Sequence, residues 1–186
     1  MKQILLLLSI ALVSVNVFAT TKQLTSVDGT DVLNGKFVHL ETKSAKKGTV
    51  VIFMSAKCPC SASHESLLKD MSAQYKDFNF IAVHSNSDET SEVTKNHFAE
   101  ASLPFPVIQD SKSRLANELG ALKTPHAFVL SPAGEVLYQG GVTDSHVGPS
   151  AKKQFLKDAL EDLQAGKTVR MKEGRALGCF IQREDA

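Results

Sequence analysis

The stretch Val50-Val51-Ile52-Phe53-Met54-Ser55-Ala56-Lys57-Cys58-Pro59-Cys60-Ser61 decides how the rest of the chain is read. Its first five residues form a short, unbroken apolar run rich in β-branched side chains, the pattern of a central strand buried on both faces. After Ser61 the period changes: His64, Leu67, Leu68, Met71 and Tyr75 fall at i, i+3, i+4, i+7 and i+11, one face of a helix. Cys58 thus stands where a buried strand hands over to a helix, directly before Pro59, and proline is favoured at the first helical position. Unpaired backbone N–H groups and the positive end of the helix dipole gather there. A thiolate, not a thiol, is the reactive form of cysteine, and these features favour it at Cys58; Lys57 adds a neighbouring positive charge.

Working outward, Phe78 to Val83 reads as a second strong strand and Asp88 to Ala101 as a helix with Asp88 as N-cap. Phe105 to Ile108 is a short strand after Pro104, and Ser113 to Leu119 a short helix closed by Gly120. Beyond Thr124-Pro125, Ala127 to Leu130 and Glu135 to Tyr138 form a hairpin around Ser131-Pro132-Ala133-Gly134. Phe155, Leu156, Ala159, Leu160 and Leu163 give a last helix its apolar stripe, and Lys36 to Leu40 is a strand before the central one. Strands alternating with helices imply parallel pairings through right-handed crossovers, ending here in an antiparallel hairpin. The expected class is α/β, a central mixed sheet flanked by helices with an N-terminal strand extension.

The chain has 186 residues, 42% of them hydrophobic and 22% charged, which suits one globular domain. A net charge of +1 gives no electrostatic footprint for nucleic acid, and no Lys/Arg block points to a membrane surface. At the N-terminus, Lys2, the apolar run Ile4 to Val13 and the small residues around Val17-Phe18-Ala19 have the form of a secretory signal peptide. The apolar run is shorter than the roughly 20 residues a spanning helix needs. Cleavage is expected after Ala19, leaving a domain over 20–186 with a C-terminal tail from about residue 167, periplasmic or secreted and not membrane-bound. Three cysteines remain, Cys58, Cys60 and Cys179. In an oxidising compartment an odd count, two of them in a Cys-Pro-Cys turn, suits a reactive site better than a disulfide scaffold.

Strand, Cys turn, amphipathic helix and a later Thr-Pro before a hairpin resemble the thioredoxin-like superfamily. More narrowly the chain resembles its redoxin branch, the peroxiredoxin-related proteins of the AhpC/TSA type. The resemblance rests on residues 50–61, Phe80-Ile81-Ala82-Val83-His84-Ser85-Asn86, Phe105-Pro106-Val107-Ile108-Gln109-Asp110, Thr124-Pro125-His126-Ala127-Phe128-Val129-Leu130 and Leu137-Tyr138-Gln139-Gly140-Gly141. It implies a thioredoxin-like fold and thiol–disulfide chemistry with Cys58 as the attacking cysteine. It also implies a cis Pro125 facing the cysteines, with Thr124 in contact with substrate. Substrates would be protein or small-molecule thiols and disulfides, with a periplasmic electron donor or acceptor. Cys58 can be resolved by Cys60, within a very small ring, or by Cys179, which lies in a Gly-Cys segment such as similar proteins carry near their ends.

Two alternatives stand beside this. In the peroxidase pattern Pro-x-x-x-Thr/Ser-x-x-Cys, Ser55 fills the hydroxyl position and Val51 replaces the proline. A Cu(I) site is the other, with Cys58, Cys60, His64 and His126 as ligands, since soft thiolates suit that ion. His126, next to Pro125, is also a candidate for tuning the thiol pKa. His64 reads most simply as a core histidine, and His39, His84, His97 and His146 as surface or edge residues. No nucleotide, phosphate or flavin motif is present, so no organic cofactor is expected.

Overall fold

The computed structural model describes residues 23–183; the expected signal peptide lies outside the described residues. The chain runs β1 (Ser26–Asp31), β2 (Phe37–Glu41), β3 (Gly48–Met54), α1 (Pro59–Gln74), β4 (Phe78–His84), α2 (Ser91–Ala101), β5 (Val107–Gln109) and α3 (Arg114–Leu119). It continues with β6 (Lys123–Thr124), β7 (His126–Leu130), β8 (Val136–Gly140), α4 (Phe155–Gln164) and β9 (Cys179–Phe180). Seven strands form one sheet in the order β2-β1-β5-β4-β3-β7-β8, and β6 pairs separately with β9. β3 runs parallel to β4, and β4 parallel to β5, through helical crossovers; β7 lies antiparallel to both β3 and β8. This is the mixed α/β sheet expected from the pattern of the chain.

All seven residues of β3 are buried, as a strand covered on both faces must be. Alternation then sorts its side chains between two cores. Val50, Ile52 and Met54 face Leu68 and Met71 of α1, Phe98 of α2, and Leu156 and Leu160 of α4. Val51 and Phe53 face Ile81, Val83, Leu115 of α3, Phe128 and, from the C-terminal segment, Ile181. That last contact shows the tail to be part of the second core.

Three local differences from the sequence reading have physical causes. The second helix begins at Ser91, not Asp88, because Thr90 caps it through Val93 N–H and Glu89 is drawn into buried hydrogen bonds. The N-terminal extension is a hairpin of two strands, β1 and β2, paired from Ser26↔Glu41 to Thr30↔Phe37. Its first strand, Ser-Val-Asp-Gly-Thr-Asp, carries too few apolar residues to announce itself. The pair β6–β9 was too short to read.

The loop after β5 is held by a single carboxylate. Asp110, buried, accepts hydrogen bonds from Leu115 N–H (2.9 Å), Ala116 N–H (3.0 Å) and Ser85 Oγ (2.8 Å). Lys112 and Ser113 adopt left-handed backbone beside it, a conformation that needs outside support. Asp110→Ala leaves those donors unpaired; each costs roughly 1–3 kcal/mol when buried. A loss of at least about 2 kcal/mol is expected in urea unfolding, with Asn restoring part of it.

Candidate active site

β3 ends at Met54 and α1 begins at Pro59, so Cys58 is the N-cap residue of α1, with extended backbone and no side-chain cap. Its side chain is 2% exposed, and its thiol donates to Thr124 O at 3.1 Å. The pairing Phe53↔His126 fixes this meeting, because it sets the Thr124-Pro125 turn beside the loop that leaves β3. The Thr124–Pro125 peptide is cis.

The third cysteine arrives from the tail. Thr124 pairs with Cys179 and Lys123 with Phe180 across the antiparallel β6–β9 ladder. Gly178 makes that approach possible: a Cβ there would lie 1.9 Å from Thr124 O, and its φ of +154° is one that other residues rarely adopt. Past Cys179 the segment is fastened by Ile181 N–H to Leu122 O (3.0 Å), Ser87 N–H to Gln182 O (2.8 Å) and Arg183 to Ala121 O. Ile181 is 6% exposed, and burying such a side chain contributes about 1.5–3 kcal/mol. Lys123 Nζ lies 4.7 Å from the Phe180 ring centroid. The outcome is a cluster in which the sulfurs of Cys58, Cys60 and Cys179 all lie within 4.8 Å of one another.

The three thiols are not equivalent. Burial pushes the Cys58 pKa up, but hydrogen bonds overcome it: the Cys179 thiol, the Thr124 hydroxyl and the backbone N–H groups of Cys179 and Ser61 donate to the thiolate and bring it down to about 7. The Thr124 hydroxyl is buried and has no other hydrogen-bond partner, so the ionised sulfur is the acceptor it lacks. Cys60 is raised by burial and by the neighbouring Cys58 charge. Cys179 is pushed up to about 12, chiefly because its proton is held in the hydrogen bond to Cys58. Ionisation is therefore concentrated on one sulfur, and the other two serve it.

The remaining candidates fall in different places. Lys57 turns its ammonium to Asp88 O (2.6 Å), and the groups that lower Cys58 do not include it. His126 lies on the far side of the turn: Phe128 packs against its ring, its Nδ1 accepts from Leu122 N–H (3.3 Å), and burial brings its pKa down to about 4. It is neutral at pH 7 and lends the thiols no positive charge. His64 spends both nitrogens on structure, Nδ1–H on Cys60 O (2.7 Å) and Nε2 on Thr143 Oγ1 (2.8 Å), bolting the first turn of α1 to the loop after β8. The soft-metal grouping among the described residues is Cys58, Cys60 and Cys179, without His64 or His126.

Two features escaped the sequence reading. His146, taken for a surface residue, brings Nδ1 to 3.6 Å from Cys60 Sγ. His84 is fully buried rather than at an edge: Nε2–H donates to Glu89 Oε2 (3.0 Å), and Nδ1 meets Gln109 Oε1 (2.9 Å). Glu89 in turn accepts from Ala56 N–H (2.7 Å) and from Ser55 Oγ. This carboxylate clamps the loop between β3 and Cys58. The one signal for it was a histidine closing an otherwise apolar strand. Burial works against the Glu89 charge, but the bonds from His84, Ser55 and Ala56 win and hold its pKa near about 2.

An α/β sheet that presents an N-capping cysteine to a cis-proline turn defines the thioredoxin-like class of redox folds. The Redoxin family profile matches residues 19–156, and the chain belongs to that family. A search of curated proteins finds no match. Among solved structures, an uncharacterised conserved protein from Geobacillus kaustophilus is 26% identical, with a TM-score of 0.78 over 92% of this chain and 95% of that one. A hypothetical protein from Sinorhizobium meliloti is 21% identical, with a TM-score of 0.78 over 89% and 95%. A putative thiol:disulfide interchange protein DsbE from Chlorobium tepidum shares the fold at 20% identity and a TM-score of 0.59, over 78% and 95%.

Two outcomes follow from the electrostatics. Alkylation of Cys58 should rise with pH around a midpoint near 7. Thr124→Val should move that midpoint up by about half to one unit, the worth of one hydrogen bond at 1.36 kcal/mol per unit; iodoacetamide kinetics followed by mass spectrometry read it. Separately, because the folded-state pKa of Glu89 is depressed, its stabilisation is complete above its ordinary value of 4.5 and lost as pH falls towards 2. Acid-titrated unfolding of Glu89→Gln should lack that part of the slope.

Proposed function

We propose that this chain is an exported thiol–disulfide oxidoreductase in which Cys58 is the nucleophile and Cys179 the resolving thiol. The observation that carries the reading is the convergence of three sulfurs on the N-terminus of α1, with the acidic one at the helix cap. In the oxidised form Cys58 and Cys179 share a disulfide. Two external thiols reduce it in successive exchanges and leave as a disulfide; two electrons and two protons stay on the chain. The reverse sequence reduces an external disulfide. Cys179 is favoured over Cys60 as partner for a physical reason. Cys60 belongs to the first turn of α1, one residue from Cys58, where a bond closes a very small ring and departures from ideal geometry store strain. Cys179 comes from a separate strand across the cluster.

The peroxidase alternative finds less support. Ser55, which would supply its hydroxyl, donates to Glu89. Cu(I) binding is favoured by one specific observation, the grouping of three soft ligands, with Cys179 in the place of the histidines. Competition against a colorimetric Cu(I) chelator tests it: a reduced chain that takes no copper from the chelator ends that reading.

Peptide mapping of the oxidised protein without reductant should recover Cys58 joined to Cys179. Cys58→Ser should abolish turnover of insulin disulfides, whereas Cys60→Ser should keep most of it. Turnover undiminished in Cys58→Ser removes the proposal. The N-terminus of protein recovered from the periplasm should begin after Ala19.

A further inference from the structure

The docked tail bears on where an external partner is joined. An enzyme of this chemistry passes through a mixed disulfide, and two sulfurs of the Cys58–Cys179 bond compete to carry it. We propose that the mixed disulfide with the external partner forms on Cys179, which acts as the exchange port, while Cys58 is the shielded sulfur that leaves and returns. The inference rests on the pairing given under the proposed function and adds the site of substrate attachment.

Geometry carries it. Thiolate attack on a disulfide is an in-line displacement, so the entering sulfur approaches along the extension of the S–S bond, beyond the sulfur it attacks. Beyond Cys58 lies the protein: the residue is 2% exposed, its sulfur sits 3.1 Å from Thr124 O, and Thr124 is itself fully buried. The opening beside Cys58, between Lys57, Asn86, Glu89 and Phe180, amounts to about 130 Å³. A pocket for an organic ligand is usually about 300–1,000 Å³. Beyond Cys179 lies solvent, since both residues of β9 are exposed.

The tail also occupies the edge on which an extended polypeptide would lie. Its residues take the ladder positions opposite Lys123 and Thr124, with Phe180 over the Lys123 ammonium. A partner therefore does not add itself beside Pro125 while β9 is in place; it meets the exposed sulfur on the outer side. The choice of leaving group agrees. The sulfur of lower pKa departs faster, and Cys58 is the one stabilised as an anion.

The exchange is balanced as follows. An external thiolate attacks the Cys179 sulfur; the bond between the partner and Cys179 forms, the Cys58–Cys179 bond breaks, and the electron pair goes to Cys58 as its thiolate. A second external thiolate attacks the partner's sulfur in that mixed disulfide, releasing the oxidised partner and leaving Cys179 as a thiolate that takes a proton. By microscopic reversibility, reduction of an external disulfide begins with attack by Cys179 and ends when Cys58 displaces the partner from it.

The test uses the full mature chain carrying Cys60→Ser, oxidised, with the Cys58–Cys179 bond verified by peptide mapping. It is mixed with glutathione, quenched in acid at short times, labelled with N-ethylmaleimide and mapped by mass spectrometry. Glutathione on Cys179 and maleimide on Cys58 is the expected pattern. Glutathione mainly on Cys58, or divided evenly, overturns the port while the verified bond leaves the proposed function standing. Starting protein without that bond overturns the pairing and the port together. In the same background Gly178→Ala, whose Cβ collides with Thr124 O, should lift the segment and raise the share of glutathione on Cys58 several-fold. A share unchanged from the parent overturns the shielding on which the port depends.

Discussion

Residue 124 is where the structure is most tightly constrained. Its carbonyl accepts from the Cys58 thiol, its hydroxyl points at the same sulfur, and its backbone forms the ladder with Cys179. None of these contacts tolerates a shift. Gly178 is needed because a methyl group there would overlap the Thr124 carbonyl, and the register of β7 on β3 is needed because it sets the turn against the helix cap. The buried central strand is thus the foundation: it fixes Cys58 at one end and, through its antiparallel neighbour, fixes what Cys58 touches.

A second constraint acts from below. The loop between Met54 and Cys58 has few apolar residues to hold it, and Glu89 holds it instead through Ser55 and Ala56. A carboxylate removed from water is costly unless its lone pairs are filled, and here His84 completes the set. Removing one partner of such a pair is more damaging than never having had it, because the other is left stranded. The clamp binds the first residues of the loop, and the helix dipole and Thr124 act on its last. Position and ionisation of the sulfur are thus controlled by separate groups.

Much of this was legible in the sequence wherever one side chain reports its own environment. The apolar run at residues 50–54, the helical stripe from His64 to Tyr75 and the glycine at 120 specified elements that the structure contains. Cys58 and the Thr124-Pro125 turn were legible for the same reason, as a cysteine at a strand–helix junction and a proline before a hairpin. What stayed hidden depends on distant partners. The place of His84 in the interior follows from Glu89, whose own helix-forming pattern pointed to α2 instead. The meeting of residues 124 and 179 is a two-residue ladder, too short for any periodicity. His64 and His126 looked like ligands by proximity in the chain, yet their nitrogens are committed elsewhere or face away.

The distance along the chain between helix cap and tail has one more consequence. A bond between Cys58 and Cys179 would close a loop of more than a hundred residues. In the chain-entropy view such a cross-link removes disorder from the unfolded ensemble worth about 5 kcal/mol. Redox state and resistance to unfolding would then be coupled quantities, so that a melting curve reports how oxidised the molecule is. The same coupling makes the bonded form reluctant to give up its cross-link, placing it towards the reducing end of the potential scale.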